Sequence, residues 1–311
     1  MSFIPPMLAD TMPGSDQMDL EKRWSTFKIT PGLYACEAKY DGHRIEIEVS
    51  DGITEPKSLF DEPAHPTKFV RNWSRDEKSR ILPKHIVEAM QGFPNGIYDG
   101  ELLVPGERSW GVTELTKLDK LAYVVFDILE LQGDSQMHLS YDMRRAYLEG
   151  LFGPKHLGSS AVQLAESTNV DSMEDVRRIC EEVWARGGEG VIVKLRAGLY
   201  HAGKRPKNNW LKIKNLLSAV LEVVGFLPSR GTKVDRGPYA MILLEDSECH
   251  KTQVKTKNDA ECRRLEHAAM SPDAISLGHH PDLGRMLRVL FQERTPDGSY
   301  RHIRVDRWEN E

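Results

Sequence analysis

Glu37-Ala38-Lys39-Tyr40-Asp41-Gly42-His43-Arg44 decides how the rest of the chain is read. Leu33 to Tyr40 leads into it as a β-strand. Arg44 to Val49 leaves it with strict alternation, Ile45, Ile47 and Val49 on one face and Arg44, Glu46 and Glu48 on the other. Asp41-Gly42 is a strong two-residue hairpin signal, because a type I′ turn needs positive φ at both central positions. The expected hairpin sets Lys39 across from Arg44, on the face that also carries Glu37 and Glu46. Two cations opposed across a ladder destabilise a sheet. A nucleophilic lysine supplies a reason for the pairing, since a neighbouring positive charge disfavours the ammonium and lowers its pKa from about 10.4. An ordinary hairpin with a solvated polar face also fits, and the octet alone leaves both readings open.

Downstream, Ile97-Tyr98-Asp99-Gly100-Glu101-Leu102-Leu103-Val104 sets a second Asp-Gly before an apolar run, with Glu101 where a carboxylate can face a cleft. Leu121 to Leu131 is nearly all apolar and reads as a buried central strand. Asp127 inside it needs a partner, because an unpaired buried carboxylate is costly. Phe126, taken by itself, reads as core. Tyr141 to Leu151 and Asp171 to Arg186 read as amphipathic helices, the second capped by Asp171 with Glu174 at N3 and stopped by Gly187-Gly188. Glu189-Gly190-Val191-Ile192-Val193-Lys194 is a short apolar strand with a carboxylate before it and an amine at its end. Trp210-Leu211-Lys212-Ile213-Lys214 alternates, with Trp210, Lys212 and Lys214 on one face. Two lysines on one strand face repel each other unless an anion lies between them. Residues 1–30 read as a wrap onto the body, with a short helix near Asp19 to Trp24. Residues 51–80 read as a polar surface excursion, and Pro83 to Met90 as a short helix.

A chain of 311 residues, 40% hydrophobic and 29% charged, suits a soluble protein of two domains. The net charge of −5 gives no global field for nucleic acid, but the charge is uneven. Arg186 to Lys214 holds eight Lys/Arg against one acid, Glu189, a local field suited to polyphosphate or a nucleic-acid backbone. Cys36, Cys180, Cys249 and Cys262 lack zinc-ligand spacing. The opening residues lack a basic n-region, and no segment approaches the ~20 apolar residues of a membrane span. A cytoplasmic location and no membrane partner are expected.

From Ala219 onward several short strands surround one helix, Glu261 to Met270. The strands are read at Ala219–Phe226, Tyr239–Leu244 and Leu287–Glu293, with turns at Arg230-Gly231-Thr232 and Arg236-Gly237-Pro238. This suggests a small β-barrel, plausibly an OB-fold. The boundary is expected near Asn215 to Ser218, giving domains 1–215 and 216–311.

The order of the motifs, Lys39-Tyr40-Asp41-Gly42, Asp99-Gly100-Glu101, Phe126-Asp127, Glu189 to Lys194 and Trp210 to Lys214, followed by a barrel, closely resembles the covalent nucleotidyltransferase superfamily, and within it the ATP-dependent DNA ligases. The resemblance covers Leu33 to Lys214 firmly and the barrel loosely. It implies an α+β fold, an antiparallel-sheet, ATP-grasp-like nucleotidyltransferase domain before an OB-fold domain. It implies ATP and Mg²⁺ as cofactors, and a monomer that seals nicked double-stranded DNA in repair or replication. Lys39 would attack the α-phosphate to form lysyl-AMP. Glu37 would read the adenine edge and Phe126 stack on its face. Arg44 and Glu101 would hold the ribose, and Lys194, Lys212 and Lys214 would belong to the nucleotide site, the last two on phosphates. Glu189, assisted by Glu101, would position the metal. Three departures stand out. The family's Ser-Arg pair, about 15–20 residues after the nucleophile, is not found in Glu55-Pro56-Lys57-Ser58. No large DNA-binding domain precedes the body. Arg304-Val305-Asp306-Arg307 only approximates the closing motif, so Arg304 and Arg307 are assigned to pyrophosphate orientation. An NAD-dependent ligase is disfavoured, since the chain has ligands for no Cys₄ zinc module. An RNA ligase, an mRNA capping guanylyltransferase and a catalytically silent binding protein are the alternatives.

Overall fold

Strict alternation sorts side chains onto two faces, and the protein uses both faces of two stacked sheets. The computed structural model describes residues 3–14, 24–54, 65–153, 161–228, 238–295 and 297–309. The chain forms two compact units, Met1–Lys214 and Asn215–Glu311. The strands of the first are β1 (Asp10–Thr11), β2 (Tyr34–Lys39), β3 (His43–Thr54), β4 (His65–Ser74), β5 (Gly96–Leu103), β6 (Ala122–Leu131), β7 (Asp134–Ser135), β8 (Val162–Leu164), β9 (Ser167–Val170), β10 (Gly190–Leu195) and β11 (Trp210–Lys214).

One sheet has the order β1-β11-β10-β2-β9, antiparallel except that β1 runs parallel to β11. Tyr34 and Cys36, Val191 and Val193, and Leu211 and Ile213 point to one side and pack on Val176, Cys180 and Val183 of the helix Met173–Ala185. The other sheet has the order β4-β3-β5-β6-β7, with β8 parallel to β6. There Ile45, Ile47 and Val49 join Tyr98, Leu102, Tyr123 and Val125 under Ile86 and Met90 of the helix Lys84–Gln91. Each such aliphatic side chain contributes about 1.5–3 kcal/mol by leaving water. The remaining faces of the two sheets meet around Met7, Ile97, Leu129, Tyr200 and Trp210. Cysteines 36, 180 and 262 are buried free thiols, Cys249 is an exposed one, and among the described residues no helix is long and apolar enough to cross a membrane.

The expected hairpin does not form. β2 pairs with β10 and β9, whereas β3 pairs with β4 and β5. Lys39 therefore lies opposite Gly190, and Arg44 opposite Glu101. Neither Asp41 nor Gly42 has positive φ, so no type I′ turn is present. Gly42 is required for a different reason, because a Cβ there would stand 2.3 Å from the Leu102 carbonyl oxygen. Most of the described residues in the supposed excursion are strand, with β3 continuing to Thr54 and β4 returning alongside it. Glu55 to Ser58, most of the segment near Asp19, and the turns at Arg230 and Arg236 lie outside the described residues. The N-terminal wrap is present, with Met7 and Met12 fully buried. The helix Met173–Ala185 is capped by Ser172, whose hydroxyl accepts from Asp175 N at 3.1 Å. Asp171, the expected cap, instead accepts from Gly32 N at 2.8 Å.

The second unit contains β12 (Leu217–Leu227), β13 (Met241–Glu245), β14 (Lys251–Lys255), β15 (Met286–Phe291), β16 (Glu293–Arg294), β17 (Tyr300–Arg301) and β18 (Arg304–Trp308). Five of them form an antiparallel sheet, β14-β13-β12-β15-β18, and β16 pairs with β17. Leu221, Val223, Ile242, Leu244, Leu287 and Val289 fill its core with Leu265 of the helix Asp259–Ala269. Among the described residues β14 and β18 are not paired, so the sheet does not close into a barrel.

Candidate active site

The register of β2, β10 and β11 writes the site out in rows. Lys39 and Lys214 flank Gly190, Glu37 and Lys212 flank Ile192, and Ala35 and Trp210 flank Lys194. All project from the face opposite the helix-covered one, because alternate residues on a strand share a face. Gly190 lets the strands close up, since a Cβ there would lie 2.0 Å from the Ile213 carbonyl oxygen. Opposite, β3, β5 and β6 supply Arg44, Glu101 and Phe126, while Leu8 and Ala9 of the wrap close one side. The result is a cleft of about 240 Å³.

Its charges are arranged in pairs. The Lys39 amine donates to Glu189 Oε2, and Lys214 Nζ meets Glu189 Oε1 at 2.6 Å. Burial alone would raise the Glu189 carboxyl, but Lys39 and Lys214 outweigh it and hold the group below its ordinary value. Among the described residues Lys212 is in no such ion pair. Burial lowers its pKa, Arg205, Lys214 and Lys39 push in the same direction, and Asp10 is the carboxylate that pulls it up. Like charges crowded in this way suit a bound polyanion. Glu101 accepts from Gly42 N at 3.2 Å. Its carboxyl is pushed up to about 7 by burial, against the pull of Lys39 and Arg44.

Arg44 is held from three sides. Its Nε and Nη2 donate to Asp99 Oδ1 and Oδ2 at 2.9 and 2.6 Å, and Nη1 donates to the Met7 carbonyl at 2.6 Å. Tyr200 hydroxyl donates to Asp99 Oδ2 at 2.8 Å and accepts from Met7 N at 2.9 Å. The guanidinium lies 5.2 Å from the Phe126 ring centroid and 5.6 Å from that of Trp210. Below them Lys194 is buried, its Nζ 2.7 Å from Glu37 Oε2 and 3.1 Å from the Phe126 carbonyl oxygen. Asp127, which needed a partner, meets the buried Arg144 in a two-pronged pair at 2.6 and 2.9 Å.

Of the residues singled out from sequence, Lys39, Glu37, Arg44, Glu101, Phe126, Lys194, Lys212 and Lys214 line one cleft. Glu189 sits behind Lys39 and Lys214 and does not itself line it. Arg304 and Arg307 belong to β18 of the second unit, where Arg307 lies 3.7 Å from Asp306 and 3.9 Å from Glu309. The electrostatic reason first given for Lys39 fails. Its close partner is the Glu189 carboxylate, and Arg44 is committed to Asp99 on the other sheet. Three polar or charged cleft residues were given no place in the site. Tyr40, inside the Lys39 motif, and Arg205, inside the basic run, carried no separate signal of their own. Arg75 did: Ser74-Arg75 is a Ser-Arg pair, and the register sets Ser74 opposite Ile45, beside Arg44. A spacing of about 15–20 residues from Lys39 falls short of it because β3 and β4 are long.

Comparison with known proteins gives a consistent result. The family described as the ATP dependent DNA ligase domain matches residues 6–214. A DNA ligase of Methanothrix thermoacetophila is 28% identical over 238 residues, 70% of this chain and 39% of that protein. DNA ligase 1 of Methanosarcina barkeri is 30% identical over 196 residues, 59% of this chain and 35% of its own. The chain thus spans well under half the length of these relatives. A Lig E DNA ligase structure superposes with a TM-score of 0.67 at 16% identity, over 99% of this chain and 100% of its own, a likeness of fold. The family match extends over about two thirds of the sequence and encloses every residue that lines the cleft, and on that ground the chain belongs to the ATP-dependent DNA ligase domain family.

Proposed function

We propose that the protein is an ATP-dependent DNA ligase that seals 5′-phosphate/3′-hydroxyl nicks in duplex DNA. The observation that carries this reading is the row geometry, which gathers Lys39, Lys212, Lys214 and Glu37 on one sheet face inside a cleft. In the first step Lys39 Nζ, having shed a proton, attacks the α-phosphorus of ATP. A phosphorus–nitrogen bond forms and the bond to pyrophosphate breaks. Lys212 and Lys214 neutralise the phosphates, and the fixed cleft supplies alignment. A 5′-phosphate oxygen then takes the AMP from Lys39, and the 3′-hydroxyl displaces AMP to close the strand.

The donor set fits Mg²⁺, which binds substrate phosphates with only one or two protein carboxylates. Glu189 and Glu101 would hold it, and a cation there would favour the ionised form of Glu101, which burial disfavours. Bound Mg²⁺ would offset phosphate charge during transfer. Nicked DNA is the expected partner, gripped mainly through phosphates, by a protein acting as a monomer. We read the second unit as the OB-fold domain, on the support of its five antiparallel strands with a helix between the third and fourth. Arg304 and Arg307 there are assigned to pyrophosphate orientation.

The test is covalent labelling. Wild-type protein incubated with α-labelled ATP and Mg²⁺ should take up label, and Lys39→Ala should take up none. The variant should still seal a nick that is already 5′-adenylated, at a reduced rate, because that step needs only the 3′-hydroxyl. Normal labelling of Lys39→Ala refutes the assignment.

A further inference from the structure

Glu37 lines the cleft, yet only 2% of it is exposed and both of its oxygens are held. Lys194 Nζ holds Oε2 at 2.7 Å. Oε1 accepts the hydroxyl proton of Tyr141, the first residue of the helix Tyr141–Leu151. Neither support can shift easily. Lys194 is capped by the rings of Trp210, Tyr141 and Phe126, at 4.5, 4.9 and 5.1 Å from its amine. Tyr141 is buried, and its oxygen is 2.9 Å from Ser167 Oγ. Since the phenol proton goes to Glu37, the Ser167 hydroxyl donates to the phenol oxygen.

We propose that Tyr141 is a positioning residue for base choice: with Lys194 it fixes Glu37 as a rigid acceptor for a purine bearing an amino group at C6. The inference rests on the reading of the cleft as a nucleotide site. A carboxylate offers about four lone-pair sites, so two fixed bonds leave acceptor capacity toward the cleft. It has no proton to give. An amino group at C6 gains a charge-assisted hydrogen bond, a hydrogen there gains nothing, and a carbonyl meets negative charge. Burial, then the Glu37 charge, pushes the Tyr141 phenol far up, so it remains a donor at any working pH. Without that donor Glu37 is tied at one oxygen only and can swing about Lys194, and the acceptor is no longer aimed.

The experiment compares Tyr141→Phe with wild type, as full chains, by calorimetric titration with ATP, purine riboside triphosphate and GTP in EDTA. Purine riboside triphosphate carries hydrogen at C6 and serves as the reference. In wild type ATP should bind tighter than the reference. In Tyr141→Phe the ATP affinity should fall about ten- to a hundredfold, the usual worth of a hydrogen bond to a charged group, and the reference should hold. Equal losses for both nucleotides would mark Tyr141 as structural and overturn the proposal, as would an unchanged ratio. Ser167→Ala, which removes only the support behind the phenol, should shift the ratio the same way by a smaller factor. It carries the test if Tyr141→Phe does not fold, and an unchanged ratio there then overturns the proposal. Labelling of Lys39 is a separate readout. Selective binding without label would sink the ligase reading alone, and normal labelling with an unmoved ratio would sink this inference alone.

Discussion

Glu46→Gln should make the protein more stable at alkaline pH and leave it unchanged in acid. Glu46 lies on β3 two residues past Arg44, opposite Asp99. It is 2% exposed, and a hydrogen bond from the Ile4 backbone does not offset its burial. Its carboxyl is pushed up from 4.5 to about 8, first by burial and then by Asp99, with Arg44 pulling it back. The folded protein therefore binds this proton more tightly than the unfolded chain. The stability tied to it is complete below pH 4.5 and is lost as pH rises through 8. At about 1.36 kcal/mol per pH unit the full loss is at most about 5 kcal/mol. Glutamine keeps the shape and cannot ionise. Urea denaturation of both proteins from pH 5 to pH 9 should give a difference near zero at the acid end, growing to about 2–5 kcal/mol in favour of glutamine at the alkaline end. A difference that stayed flat with pH, or grew in the opposite sense, would refute the reasoning.

Asp99→Asn should cost about 3–5 kcal/mol in chemical denaturation, because it strands a buried guanidinium, and a loss well under 1 kcal/mol would show that Arg44 relaxes to another partner. Affinity for nicked duplex should fall by at least about tenfold between low and moderate salt, and a flat response would count against phosphate-dominated binding. A protein ending at Lys214 keeps every residue that lines the cleft, yet it should seal pre-adenylated nicks far more slowly than the full chain. Sealing at the full-length rate would leave the second unit no part in that step.

Much of the candidate site could be read from alternation. The rule that every second residue shares a face put Lys212 with Lys214, Glu37 with Lys39, and Arg44 with Glu46, and each grouping is observed. Alternation does not encode which strand lies alongside. The Lys39–Glu189 pair spans 150 residues and the Tyr141–Glu37 bond 104, so neither had a local signature. Tyr141 was hidden further by its setting, since a tyrosine opening an amphipathic helix reads as core. Arg75 was lost to a spacing rule that assumes a fixed strand length.

The failed hairpin is the more instructive error. Read alone, Asp-Gly is a turn that folds the chain back on itself, which would put both ends of the octet on one sheet. The chain instead steps across at Asp41-Gly42, and Lys39 ends up on one sheet and Arg44 on the other. A motif of eight residues thereby supplies both walls of the cleft. The step must be short and tight, because Gly42 passes close to the Leu102 carbonyl and its own N–H is given to Glu101. A side chain at that position would push the crossing segment away from β5. The same two residues that signal a hairpin in isolation serve here as the crossing point of the cleft, because the pairing partners of β2 and β3 lie far away in the sequence.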